Sequence, residues 1–154
     1  MTLIEFLDKT KKNKILAKLD EFCGVSKLNH LFIKSGKDKI RIFSGSLSKD
    51  ELNEISQKIH VELIGSRIAN IDSEETRIAF DAINIPEIKS QIKENIIEIT
   101  DEQAEKWMTG EDLQIETNSN KKYIVIKNKD DLLGVGKIQG TFIKNYVPKE
   151  RRTR

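Results

Sequence analysis

At 154 residues the chain has room for one ordinary domain or for two small ones, and two units of about 75 residues would each need a shared interface to complete a core. Only two prolines and eight glycines argue against a disordered or low-complexity chain, and no apolar run approaches the about 18 residues of a membrane span. The net charge of +2 excludes a strongly basic protein only on average: residues 121–154 hold ten bases and three acids, whereas the other 120 residues hold 17 bases and 22 acids. Such a basic C-terminal part points to a nucleic-acid or other polyanion surface.

In chain order, Met1–Asp8 has acids within its apolar stretch and no small-residue cleavage site, so no secretory signal is expected. Lys14–Phe22 predicts a short helix, with Ile15, Leu16, Leu19 and Phe22 at helical spacing and Gly24 as its stop; an extension back through Thr2–Asp8 is left open. His30–Lys34 and Ile40–Ser44, separated by Ser35-Gly36-Lys37-Asp38, predict a β-hairpin. Ser48 stands three residues before Glu51, a capping box for a helix carrying Leu52, Ile55 and Ile59 on one face. Val61–Ile71 and Thr76–Ala82 predict strands around the polar turn Asp72-Ser73-Glu74-Glu75, and Pro86 suits the first turn of a helix with Ile88 and Ile92 inward.

A second unit begins at the short strand Asn95–Ile99. Thr100 and Gln103 form another capping box, for a helix running through Ala104, Trp107 and Met108 to Gly110. After the polar stretch Gln114–Lys122 come three closely spaced strands, Tyr123–Ile126, Leu132–Ile138 and Thr141–Val147, which predict a small, curved, barrel-like sheet. Pro148 ends the last strand and the tail Lys149–Arg154 is expected to be open and charged.

Enzyme signatures are missing. Gly134-Val135-Gly136 lies inside a strand pattern and cannot aim a helix N-terminus at a phosphate. His30 and His60 are isolated, and the single Cys23 has neither a disulfide partner nor a zinc ligand set; it reads as a buried structural thiol in a cytoplasmic protein. No catalytic residue, metal site or cofactor is expected. Gly134 and Gly136 fit a bend or bulge at a barrel corner, or close approach of the backbone to a ligand, and the two are compatible. Trp107 fits core packing better than base stacking. Lys137 and Lys144 fall on adjacent strands, Tyr146 and Phe142 interleave with them, and Lys149, Arg151 and Arg152 follow; the set is either a solvated tail or a phosphate-tracking surface, and the concentration on one sheet edge favours the latter.

Trp107-Met108-Thr109-Gly110-Glu111-Asp112-Leu113, Tyr123-Ile124-Val125-Ile126, Leu133-Gly134-Val135-Gly136-Lys137 and Asn145-Tyr146-Val147-Pro148-Lys149-Glu150-Arg151-Arg152 resemble a PUA domain, a small RNA-binding pseudo-barrel. The ending is most similar to the C-terminal domain of Fmu/Sun-type rRNA cytosine-5 methyltransferases and to small stand-alone archaeal proteins that share it. Residues 1–90 resemble the α/β pre-PUA domain that precedes PUA in such proteins. The resemblance implies an α+β protein with a pre-PUA-like domain at 1–90 and a PUA-like domain at 91–154. It implies that the loop Thr109-Gly110-Glu111 approaches an RNA backbone, that Lys137 and Lys144 contact phosphates, and that Lys149, Arg151 and Arg152 extend that surface, to which Tyr146 is expected to add aromatic support. Neither the Rossmann region nor the paired catalytic cysteines of the methyltransferases are present in this sequence, so no methylation is expected. The implied function is non-catalytic binding of structured RNA, rRNA or tRNA, in ribosome biogenesis or RNA modification, with proteins of those processes as further partners. A protein-interaction adaptor and, more remotely, a small RNA-modifying enzyme are the rival readings.

Overall fold

The computed structural model describes residues 4–58, 65–72 and 75–154. Its order is β1 (Ile4–Phe6), α1 (Lys9–Cys23), β2 (Leu31–Ser35), β3 (Lys39–Phe43), α2 (Lys49–Lys58), β4 (Ser66–Ile71), β5 (Thr76–Ile78), α3 (Pro86–Lys89), β6 (Ile96–Glu98), α4 (Asp101–Met108), β7 (Tyr123–Asn128), β8 (Asp131–Gln139), β9 (Phe142–Asn145) and a 3-10 turn (Lys149–Arg151). The first five strands form one antiparallel sheet in sequential order, and β6 to β9 form a second. The fold is mixed α+β: an α/β part followed by a β-rich part.

Helix α1 starts six residues before the apolar periodicity does. Asp8 caps it, its side chain accepting from Lys11 N at 2.9 Å. The first turns are mostly lysine, a good helix former that leaves no hydrophobic trace. Gly24 ends the helix in the left-handed region at φ +99°, where an added Cβ would also lie 2.9 Å from the Gln91 carbonyl. Ile4–Phe6 does not extend the helix; it pairs with β2 as an edge strand, Ile4 opposite Ser35. The β2–β3 hairpin forms as expected, and Ser48 and Glu51 make both capping-box bonds of α2. Of the expected α2 face, Leu52 is buried and Ile55 is exposed, while Ile59 lies outside the described residues, as do Val61–Ile64, His60, Ser73 and Glu74. The strand expected over Thr76–Ala82 stops at Ile78, where the chain turns to place Ala79, Ala82 and Ile83 in the core.

One hydrophobic cluster spans both sheets. Phe22, Leu28, Phe32, Ile40 and Ile68 from the first part pack with Tyr123, Val125, Leu132 and Val135 from the second. The two sheets thus share one core. Cys23 sits inside it, fully buried, and burial pushes its thiol up to about 12. Polar ties reinforce the junction. Asn84 Nδ2 donates to the Leu132 carbonyl at 2.8 Å, and Asp81 pairs with Arg151 at 2.8 Å.

A second cluster lies on the other face of the second sheet. Helix α4 lays Trp107 there against Ile124, Ile126 and Ile143. Strand β6 runs parallel to β7, β8 and β9 continue antiparallel, and Leu113 adds a bridge to β9. A glycine of β8 sits at a break in this ladder. The β7–β8 register shifts between Val125 and Lys127, giving β8 one extra residue beside Gly134, which has φ +88°. A Cβ at Gly134 would lie 2.7 Å from the Phe80 ring, so the bulge also seats the first part of the chain.

Candidate nucleic-acid interface

Helix α4 is fixed at both ends. Gln103 N donates to Thr100 Oγ1 at 3.2 Å and Thr100 N donates to Gln103 Oε1 at 2.9 Å, closing the expected capping box. Trp107 is fully buried, as its packing role predicted, and its Nε1 donates to the Leu133 carbonyl at 2.7 Å. Gly136 is the space it needs: a Cβ there would overlap Ile143 and stand 2.8 Å from the Trp107 ring.

The loop Thr109-Gly110-Glu111 leaves the helix through Gly110, at φ +101°. Asn145 clasps this loop. Its Nδ2 donates to the Trp107 carbonyl at 2.7 Å and to the Glu111 carbonyl at 2.9 Å. Its Oδ1 accepts from Val147 N at 2.8 Å, and its own backbone N–H donates to Asp112 Oδ1 at 2.8 Å. The buried side chain thereby joins the helix end, the loop and the start of the tail. The tail itself is not open as far as Thr153. Lys149–Arg151 forms a 3-10 turn, Arg152 Nε donates to the Val147 carbonyl at 3.0 Å, and Thr153 N donates to the Met108 carbonyl at 2.8 Å. The Arg152 guanidinium covers Gly110 so closely that a Cβ there would lie 2.7 Å from Nε. Lacking that Cβ, Gly110 lets Arg152 lie against the loop backbone.

Lys137 and Lys144 are directly opposite each other across β8 and β9. Strand alternation places them, with Tyr146, on the face away from Trp107, because Gly136 and Asn145 point toward Trp107. Lys144 and Lys149 are exposed and Lys137 is half-buried; among the described residues none of the three forms an ion pair. Two like charges facing each other across a ladder are destabilising unless something anionic separates them.

Tyr146 has internal partners. Its ring meets Tyr123 edge-on, with centroids 5.6 Å apart, and the Arg77 guanidinium lies 5.1 Å from the Tyr146 centroid and 5.4 Å from that of Tyr123. Burial, followed by the neighbouring Tyr146, pushes the Tyr123 phenol up to about 12. Arg151 is held by Asp81, whose carboxylate raises the guanidinium further above its ordinary value. The nine residues singled out from sequence therefore fall into two groups. Lys137, Lys144 and Tyr146 share one sheet face; Thr109, Gly110, Glu111, Lys149, Arg151 and Arg152 gather at the helix end and tail. Sequence reasoning missed Asn145, Arg77 and Asp81. Only Asn145 left a signal: it occupies an inward slot in the alternation Ile143, Asn145, Val147, where an apolar residue would be ordinary.

The stretch of sequence that builds this sheet, its parallel entry strand and the capped helix packed on it through Trp107 matches a known domain family. The family described as Methyltransferase RsmF PUA domain matches residues 94–153, and this part of the chain is a PUA domain related to that of Sun/Fmu-type methyltransferases. Curated relatives include the Ribosomal RNA small subunit methyltransferase F of Vibrio cholerae serotype O1, 33% identical over 54 residues. That match covers 35% of this chain and 11% of the relative. The enzyme of the same name from Photobacterium profundum is 37% identical over 59 residues, covering 38% of this chain and 12% of the relative. The chain thus spans only about a ninth of the length of the curated relatives it matches. Among the described residues, no helix is long and apolar enough to cross a membrane and no three acidic, histidine or cysteine side chains gather as a metal site.

Proposed function

We propose that the chain is a non-catalytic, cytoplasmic RNA-binding protein that recognises structured RNA, with a pre-PUA-like domain at 1–90 and an RNA-docking PUA domain at 91–154. The observation that carries the reading is the Lys137–Lys144 pair. Two cations without an ion pair among the described residues stand opposite each other on a PUA domain, an arrangement that costs stability in isolation and that a phosphate relieves. Affinity would come from such phosphate contacts, and register from the loop backbone at Thr109–Glu111 and the docked tail. Ribosomal RNA, which the names of the curated relatives carry, and tRNA are the candidate ligands, in ribosome biogenesis or RNA modification. Cys23, the sequence's single thiol, is buried and protonated where a thiol nucleophile must be exposed and ionised, which supports a chain without cysteine-based catalysis.

The test is to titrate a stem–loop RNA into the isotope-labelled full chain and follow backbone and lysine side-chain resonances. Shifts are expected at Lys137 and Lys144, at Thr109–Glu111 and at Lys149. Shifts confined to other surfaces, or none at low salt, would remove the proposed interface.

A further inference from the structure

The first sheet contains a second like-charged cross-strand pair. Arg41 on β3 is directly opposite Arg67 on β4, on the same face of the sheet. The arrangement is costly in two ways. Like charges directly opposite each other repel. In addition, Arg41 Nε is buried without a hydrogen-bond partner, the only such side-chain nitrogen or oxygen among the described residues. An orphaned buried donor costs about 1–3 kcal/mol, and more when charged. Burial, followed by the charge of Arg67, holds the Arg41 guanidinium below its ordinary value.

Local structure keeps the pair together. Arg41 Nη1 donates to the Gly65 carbonyl at 2.9 Å, which fixes one edge of its fork. Gly65 is in the left-handed region at φ +76°, packed against the Ile42 carbonyl where no Cβ fits. Arg67 is exposed, and neither arginine has a carboxylate partner among the described residues. Lys39 stands two residues before Arg41 on the same face, exposed and opposite Asn70. The surface is therefore a short cationic row anchored by a guanidinium with an unused donor.

We propose that Arg41 and Arg67 form a second phosphate clamp, which grips the RNA backbone from the first sheet while the PUA domain holds it from the other. Guanidinium forks suit phosphate because they are planar, permanently charged and bidentate. A phosphate bound by the exposed Arg67 and by the solvent-facing part of the half-buried Arg41 removes the repulsion across the ladder. The inference rests on the RNA reading above but concerns a different surface, assigned to the first part of the chain.

The experiment compares the full chain with its Arg67→Gln and Lys137→Gln/Lys144→Gln variants, measuring affinity for a fluorescein-labelled stem–loop RNA across a salt series together with thermal midpoints. Arg67→Gln is expected to weaken binding roughly tenfold at low salt and to make the salt slope shallower by about one unit. Its thermal midpoint should be no lower than that of the parent, because a repulsion has been removed. Wild-type affinity and slope in Arg67→Gln, with weakened binding in the lysine variant, would overturn the clamp and leave the PUA interface standing. A lowered midpoint accompanying the weaker binding would assign Arg67 a structural role and also overturn it. Failure of the parent chain to bind RNA at low salt would overturn both readings together. Weakened binding in Arg67→Gln alone would support the clamp against the lysine face.

Discussion

Asn145→Ala is expected to destabilise the protein by about 3 kcal/mol or more, since one small change leaves several buried groups without partners. The Trp107 and Glu111 carbonyls lose their shared donor, and Val147 N loses its acceptor. Each buried group left unpaired costs about 1–3 kcal/mol. Asn145→Asp is expected to be at least as damaging, because it points a carboxylate at two carbonyl oxygens. Urea unfolding checks the prediction: the midpoint should fall while the denaturant slope stays constant. Hydrogen exchange adds a local readout. The Thr153 amide, which donates to Met108, should lose protection as the tail loosens. A destabilisation below about 1 kcal/mol would mean that water replaces the clasp and that the loop and tail are not held by it.

Replacing Lys137 and Lys144 together by Gln is expected to weaken binding of structured RNA by about a hundredfold at low salt, about tenfold for each charged hydrogen bond to phosphate that is removed. The same double change should leave the thermal midpoint unchanged or raise it. The two lysines face each other across β8 and β9 without an ion pair among the described residues, so their removal relieves repulsion in the free protein. Opposite signs in binding and stability separate a functional pair from a structural one. A midpoint that falls together with affinity would show that the lysines support the sheet, and their role in recognition would go with it. Single replacements should each make the salt slope shallower by about one unit, the signature of one phosphate no longer neutralised.

What the sequence showed in advance was local. The capping boxes at Ser48–Glu51 and Thr100–Gln103, the β2–β3 hairpin and the closely spaced β7, β8 and β9 depend on residues near one another in the chain. The Lys137–Lys144 pairing was legible for that reason, since a short turn joins their strands. The beginning of α1 was hidden because its first turns are mostly lysine, and Ile4–Phe6 because three residues carry too little alternation to be read as a strand. The folded tail was hidden because its partners come from elsewhere: Met108 holds Thr153, and Asp81 holds Arg151. The same limit applies to Tyr146. Its aromatic character was clear, but its contact with Arg77 depends on how β5 meets the second sheet. The Arg41–Arg67 pair was missed because regional charge counts record the acidic average of the first 120 residues and not which two bases a ladder brings together.

The most direct test of RNA binding by the full chain is its affinity for a stem–loop RNA measured from about 50 to 200 mM salt, the range over which phosphate contacts are most visible. Binding should be tight at the low end, and log K should fall linearly with log salt, by roughly 0.7–0.9 for each phosphate neutralised. With Lys137, Lys144 and Lys149 engaged, the slope should be at least about −2. Measurable binding with a flat salt dependence, or no binding at the lowest salt, would contradict recognition of RNA through this surface.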